Sequence, residues 1–306
     1  MNELESLTWQ KSDDLEFAAC NFCGSERAQF VLTENGLNIV RCRDCGLVYV
    51  NPRPTPEQLV RFYEQYFPPA SENLWQKQMK YIFQKEGRRI IEAMADKTKA
   101  VDVLDIGCGM GFFLSLLKKE NYRCYGIEIS PTAADFARRH LNLNITQNTL
   151  LESGFPDNSF DVITLWYVLE HVPNPKEILQ KVRHLLKKDG LVIIRTPQLN
   201  VRMDQWLFRL IRLRRILPSR LTGWIEKSFL INPPRHLYDY KADHLRRLMA
   251  QLGFKKIKII NSYPRSAGSW PELLRRYLWY LLVQVLFCLS RGEIILNSSI
   301  TIYARK

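Results

Sequence analysis

The chain has 306 residues, 46% of them hydrophobic and 25% charged, which is folded-domain composition and excludes disordered, collagen-like and disulfide-rich miniature classes. Its formal net charge is +13, unevenly spread: residues 1–199 carry 24 Lys/Arg against 25 Asp/Glu, and residues 200–306 carry 20 against 6. The asymmetry implies either an anionic partner for the last third, nucleic acid or lipid, or a basic surface kept for solubility.

The start, Met1 to Asp14, is acidic and polar, so no secretory signal is expected. No run reaches the roughly 18 apolar residues of a spanning helix. Seven cysteines in such a chain point to a reducing, cytoplasmic setting where paired cysteines hold metal. Cys20-Asn-Phe-Cys23 and Cys42-Arg-Asp-Cys45 are two C-x₂-C pairs, each followed by glycine. That spacing turns both thiolates of a knuckle toward one ion, and four thiolates suit tetrahedral zinc with no open position. Cys20, Cys23, Cys42 and Cys45 are therefore the expected ligands of a structural Zn²⁺; Cys108, Cys124 and Cys288 read as packing residues. Short β-rich runs surround the pairs, at 30–32, 39–40 and 47–50, and the prolines at 52, 54 and 56 mark a boundary. Residues 1–56 are thus expected to form a zinc-ribbon-like module, and 57–98 a helical linker or lid.

From 101 onward strands and helices alternate. Strands are predicted over 101–106, 123–127, 160–165 and 191–195, and helices over 112–119, 131–140 and 175–186, the last stopped by Asp189-Gly190. Repeated βαβ units imply an α/β fold, a mostly parallel sheet covered on both faces. A helix over 241–252, a strand over 255–260 and a strand over 299–304 follow.

The loop after the first of these strands, Asp105-Ile-Gly-Cys-Gly-Met-Gly111, lets backbone approach a ligand closely. Glu128 ends the next strand, where a carboxylate can accept from both hydroxyls of a ribose. A dinucleotide fingerprint needs a third glycine where Phe112 stands, and no Gly-Lys-Ser/Thr of a Walker loop follows. The pattern suits a nucleoside ligand with a cationic amino-acid end and no phosphates, such as S-adenosylmethionine (SAM).

These residues, with Phe160-Asp161 and Leu169-Glu-His-Val-Pro173, resemble the class I SAM-dependent methyltransferases, nearest the quinone-biosynthesis O-methyltransferases. The run Cys45 to Pro56 resembles the zinc-knuckle front end of a bacterial subgroup linked to glycan, lipid or secondary-metabolite assembly. The resemblance implies a doubly wound, seven-stranded Rossmann-like sheet and a methyltransferase domain over 99–306, with basic apolar insertions at about 198–234 and 262–297. It implies that Gly107, Cys108, Gly109 and Gly111 line the methionine portion of SAM and Asp105 orients its ammonium. Glu128 would hold the ribose, Ile129 the adenine face, Asn148 and Thr149 the adenine edge. Leu165 and Trp166 would cover the methyl.

For an oxygen acceptor the enzyme needs a base, which favours histidine. His140, His184 and His244 read as surface residues. His171 lies at the carboxyl edge of the sheet and His236 in a loop resembling the family's substrate-facing one, so these two are the candidate catalytic residues. Some quinone relatives place a further carboxylate, and a divalent metal, where Tyr167 stands here; the departure weakens a metal-assisted reaction, although Glu170 and His171 remain. The expected function is O-methylation of a small or lipid-linked acceptor, a glycan, quinone or secondary-metabolite precursor. Basic residues interleaved with Leu, Ile and Trp fit either an anionic membrane surface or a lid and dimer contact. An RNA methyltransferase is the alternative, disfavoured because Thr164-Leu-Trp-Tyr167 replaces the Asn/Asp-Pro-Pro-aromatic motif of base methylation. A non-catalytic SAM-binding scaffold is another.

Overall fold

The computed structural model describes residues 15–66, 69–94, 100–118, 122–198, 233–262, 270–290 and 299–306. The basic apolar segment expected at 198–234 lies, apart from its ends, outside the described residues, as do both flanks of the one at 262–297.

The central sheet is built from β6 (Asp102–Ile106), β7 (Arg123–Ile127), β8 (Asn144–Thr146), β9 (Phe160–Trp166), β10 (Leu186–Pro197), β12 (Lys255–Asn261) and β13 (Ser299–Arg305). Its order is β12-β13-β10-β9-β6-β7-β8. β6, β7, β8, β9 and β10 pair in parallel, and β13 runs antiparallel between β10 and β12. This is the expected mostly parallel, seven-stranded sheet. The strand order reverses at β6, with β7 and β8 added on one side and β9 and β10 on the other, so the crevice of the doubly wound sheet opens at the carboxyl ends of those strands.

Side-chain alternation explains why both faces are covered. Val103, Val162 and Ile193 join one core with α2 (Pro69–Ala93), α3 (Phe112–Lys118) and α4 (Pro131–Leu141). Leu104, Ile163, Val192 and Ile194 face the other core, which includes Leu179 and Val182 of α5 (Pro175–Leu185) and Leu245 and Leu248 of α6 (Ala242–Gln251).

α5 ends at Leu185 rather than at Asp189-Gly190. Leu186 is already extended and pairs with Phe160, and Asp189, at a φ of 59°, turns the irregular start of β10 back into register at Leu191. Pairing with β9 thus overrides the helix-compatible sequence there.

The cysteine segment folds as a four-stranded antiparallel sheet: β2 (Ala28–Glu34), β3 (Leu37–Cys42), β4 (Val48–Val50) and, from far along the chain, β11 (Tyr238–Asp239). Its Leu37, Ile39 and Tyr49 share the core that holds Leu165 and Val192. The proline run does not break extended structure outright. Arg53–Pro54 forms β5, paired with Leu15–Glu16 (β1), and Pro56 opens α1 (Pro56–Tyr66), where a missing N–H costs nothing.

Arg53 explains the docking. Its buried guanidinium donates to Glu16 Oε1 at 2.8 Å, to the Pro173 carbonyl, to Tyr238 Oη at 2.5 Å and to Asn174 Oδ1 at 3.3 Å. His244, expected on the surface, is instead buried, and its Nε2 meets the Cys45 carbonyl at 2.9 Å. It lies on the same face of α6 as Leu245 and Leu248, while its neighbours Asp243 and Arg246 pair in solvent. Cys288, read as a packing residue, is exposed, whereas Cys108 is buried.

Candidate active site

Because the strands are parallel, their carboxyl ends gather the candidate residues along one edge. The loop after β6 carries Gly107, Gly109 and Gly111 at φ of 64°, 55° and 78°, a conformation L side chains rarely adopt. Space also restricts two of them. A Cβ on Gly107 would fall 2.7 Å from Val168 Cγ2, and one on Gly111 would fall 2.4 Å from Leu143 Cδ1. Cys108 N–H donates to the Ile127 carbonyl, tying the loop to the end of β7.

Glu128 follows directly. One carboxylate oxygen accepts from Gly109 N–H at 2.8 Å and the other from Ser130 N–H at 2.9 Å. Burial raises its pKa, and these backbone donors oppose the rise. Each oxygen keeps a second lone pair, the capacity a ribose diol would use. Asp105 is buried beneath the loop and accepts from Thr164 Oγ1 at 2.6 Å. Burial pushes its carboxyl up to about 8, with the charge of Glu128 adding to the rise. Two neighbouring buried acids beside a glycine cradle suit a ligand that brings a positive charge, so these residues fit SAM.

The other expected cofactor residues are placed variously. Ile129 is half-buried after Glu128. Asn148 and Thr149 spend their polar groups within their own turn: Asn148 accepts from Thr149 N–H and donates to the Glu152 carbonyl, and Thr149 Oγ1 donates to Glu152 Oε2. Leu165 has no exposed surface and packs in the larger core. Trp166 packs edge-on against Phe83 and Phe113.

After β9 the chain passes through Tyr167 at a φ of 58° into the turn holding Glu170 and His171. Tyr167 Oη accepts from Arg195 Nε at 2.8 Å and donates to Ser299. Glu170 is buried and accepts from Thr196 Oγ1 at 3.0 Å. His171 Nδ1 lies against the Arg235 carbonyl and 2.8 Å from Tyr63 Oη, which itself donates to that carbonyl at 2.6 Å. A carbonyl only accepts, so a proton on Nδ1 would satisfy the Arg235 carbonyl, while Nε2 lies 3.8 Å from Glu170 Oε1. Burial lowers the His171 pKa to about 4, so the ring is neutral at pH 7.

The His236 ring lies 4.8 Å from that of His171, so the structure brings the two candidate catalytic residues together. The loop carrying His236 is stitched on both sides. Leu237 N–H donates to the Glu170 carbonyl, Val50 N–H donates to the Leu237 carbonyl, and Tyr238 pairs with Tyr49. One liganding atom from each of Glu170, His171 and His236 lies within 4.8 Å of the others. Tyr63 and Arg53, which build this region, carry no local motif; only their long-range partners reveal them.

The second cluster is the cysteine one. The four Sγ atoms lie within 4.8 Å of one another, with Cys20–Cys45 and Cys23–Cys42 each at 3.5 Å. A tetrahedral zinc with Zn–S bonds of about 2.3 Å wants sulfurs about 3.8 Å apart, so the cluster has the right size. Gly24 and Gly46, both at positive φ, donate to the Cys20 and Cys42 carbonyls and close the two knuckles.

Residues 74–259 match the family model described as a methyltransferase domain. A ubiquinone biosynthesis O-methyltransferase of Glaesserella parasuis serovar 5 (strain SH0165) is 38% identical over 114 residues, 33% of this chain and 48% of that one. Another, from Serratia proteamaculans (strain 568), is 29% identical over 170 residues, 48% of this chain and 66% of that one. The chain thus spans between about half and two thirds of the length of these relatives. Among solved structures, phosphoethanolamine N-methyltransferase 2 of Haemonchus contortus in complex with SAM aligns over 90% of this chain and 70% of its own, with a TM-score of 0.53 and 14% identity, a likeness of fold. Family match, sheet order and glycine loop agree: the chain belongs to the SAM-dependent methyltransferase family.

Proposed function

We propose that the chain transfers the methyl group of SAM to an oxygen of a small or lipid-linked acceptor, with His171 as general base and His236 beside it at the acceptor. The observation that carries this reading is the pair of histidine rings, His171 and His236, 4.8 Å apart at the carboxyl edge of the sheet. With Nδ1 held against the Arg235 carbonyl, Nε2 of His171, beside Glu170, would take a proton from an acceptor hydroxyl. SAM supplies an electrophilic methyl on a sulfonium; the glycine loop, Asp105 and Glu128 would hold it at the edge where His171 sits. Relatives named as ubiquinone biosynthesis O-methyltransferases support oxygen as the accepting atom. We also assign structural zinc to Cys20, Cys23, Cys42 and Cys45, supported by the sulfur spacing and by four thiolates, which fill a tetrahedral site.

The cluster of Glu170, His171 and His236 favours a second version, in which a divalent ion on these side chains lowers the pKa of the acceptor hydroxyl.

Methyl transfer into a bacterial extract tests the base. His171→Gln should leave SAM affinity, read by calorimetry, at the wild-type value and lower turnover by about a hundredfold or more. Unchanged turnover would remove His171 from the mechanism. Loss of wild-type turnover on dialysis against EDTA, restored by Mg²⁺, would favour the metal version.

A further inference from the structure

We propose that the helix α7 (Trp270–Leu289) lies in the plane of an anionic membrane surface, its outward apolar face among the lipids. The proposal does not depend on which acceptor is methylated.

An ordinary surface helix turns its apolar stripe inward. Here Leu274, Leu278, Leu281, Leu282, Val285 and Leu289 recur at spacings of three and four, one face of a helix, and each is 45% to 77% exposed. Tyr277 and Trp279 are half-exposed as well. Val283, nine residues from Leu274 and so half a turn out of phase, has no exposed surface; it is on the side that packs on the protein. The helix touches β12, the edge strand of the central sheet. No described helix is long and apolar enough to cross a membrane. From Tyr277 to Leu289 the helix is apolar nearly all round. One side packs on the protein through Val283, the other is left to solvent, and Tyr277 and Trp279 flank the exposed side, a composition suited to a membrane interface.

Charge selects the occupant. β12, which the helix touches, presents Lys255, Lys256 and Lys258 to solvent. A second copy of the chain, joined through the same face, would bring its own Lys255, Lys256 and Lys258 against these. An anionic lipid surface offers both the apolar layer and the opposite charge.

The test is sedimentation of the full chain with vesicles of phosphatidylcholine alone and of phosphatidylcholine and phosphatidylglycerol in equal parts. Wild type should pellet with the mixed vesicles and stay in solution with the neutral ones. Leu278→Glu/Leu282→Glu should weaken binding at least tenfold, with melting temperature and SAM affinity unchanged, because both side chains are exposed. Lys255→Glu/Lys256→Glu should weaken it by about tenfold or more through charge alone. Wild type remaining in solution with both vesicles, equal binding to both, or undiminished binding of the leucine variant would overturn the proposal. So would a dimer, by analytical ultracentrifugation, that the leucine variant splits.

Discussion

Arg53→Met removes one guanidinium and tests whether the cysteine segment is pinned to the active site through it. Methionine keeps the buried stem, so the change isolates the hydrogen bonds. Loss of the Arg53 bonds strands no acceptor. The Pro173 carbonyl still accepts from Tyr238 Oη at 2.7 Å, Asn174 Oδ1 still accepts from Asn21 Nδ2 at 3.2 Å, and Glu16 can turn to solvent. The loss is then about 1.5 kcal/mol for each of the two inner charge-assisted bonds, little for the long and exposed ones, less about 1 kcal/mol regained by no longer burying a charge. The sum is about 2 kcal/mol, or a fall in Tm of about 4 °C. Tyr238 is two residues past His236, so amide exchange over 233–240 should quicken by about thirtyfold, the equivalent of that energy, while exchange over 102–111 stays constant. Unchanged melting and unchanged exchange in that loop would refute the pin. A loss of protection spread over the glycine loop as well would refute its local character.

Gly111→Ala places a Cβ 2.4 Å from Leu143 Cδ1 and 3.2 Å from Ala137 Cβ at a φ of 78°. Backbone strain and overpacking together cost about 3 kcal/mol, so denaturant melts should shift clearly and SAM affinity should fall; a wild-type melt would contradict the loop geometry. Asp105 sets the pH response of cofactor binding. Its pKa in the folded chain is raised to about 8, so its contribution to stability is present below the unfolded value of 3.8 and is lost as pH rises through 8. A cationic ligand beside it favours the carboxylate, so SAM affinity should rise from pH 6 to pH 8 and then level off, with proton release seen by calorimetry in two buffers; a flat profile would exclude Asp105 from the ammonium. Cys42→Ser should lose the bound zinc by elemental analysis and lower Tm, whereas a metal-free, equally stable wild type would dismiss the zinc assignment.

Local signals in the sequence reach as far as single elements. The apolar runs of β6 and β9, the glycines at 107, 109 and 111, and Glu128 at a strand end are each legible because backbone geometry and period dictate them locally. The end of α5 is not, since Leu186 leaves the helix only because Phe160 offers a strand partner. His244 looks like a surface residue between Asp243 and Arg246, and becomes a buried clasp only when the Cys45 carbonyl arrives from 199 residues away. Arg53 hides in a proline run that reads as punctuation, while its partners are Tyr238 and the turn at 173–174. The closeness of His171 and His236 is suggested by the family resemblance and by no local period, since it depends on β11 adding two residues to the cysteine sheet. In each case the missing information is a tertiary partner, which no local period encodes.

The most direct test supplies labelled SAM and a fractionated bacterial extract to the full chain and counts label in the organic, nucleic-acid and small-molecule aqueous phases. Label in the organic or small-molecule phase, stable to mild base as an ether methyl is, is the result expected of an O-methyltransferase acting on a small or lipid-linked acceptor. Label recovered in RNA would contradict that account and assign the chain to nucleic acid instead.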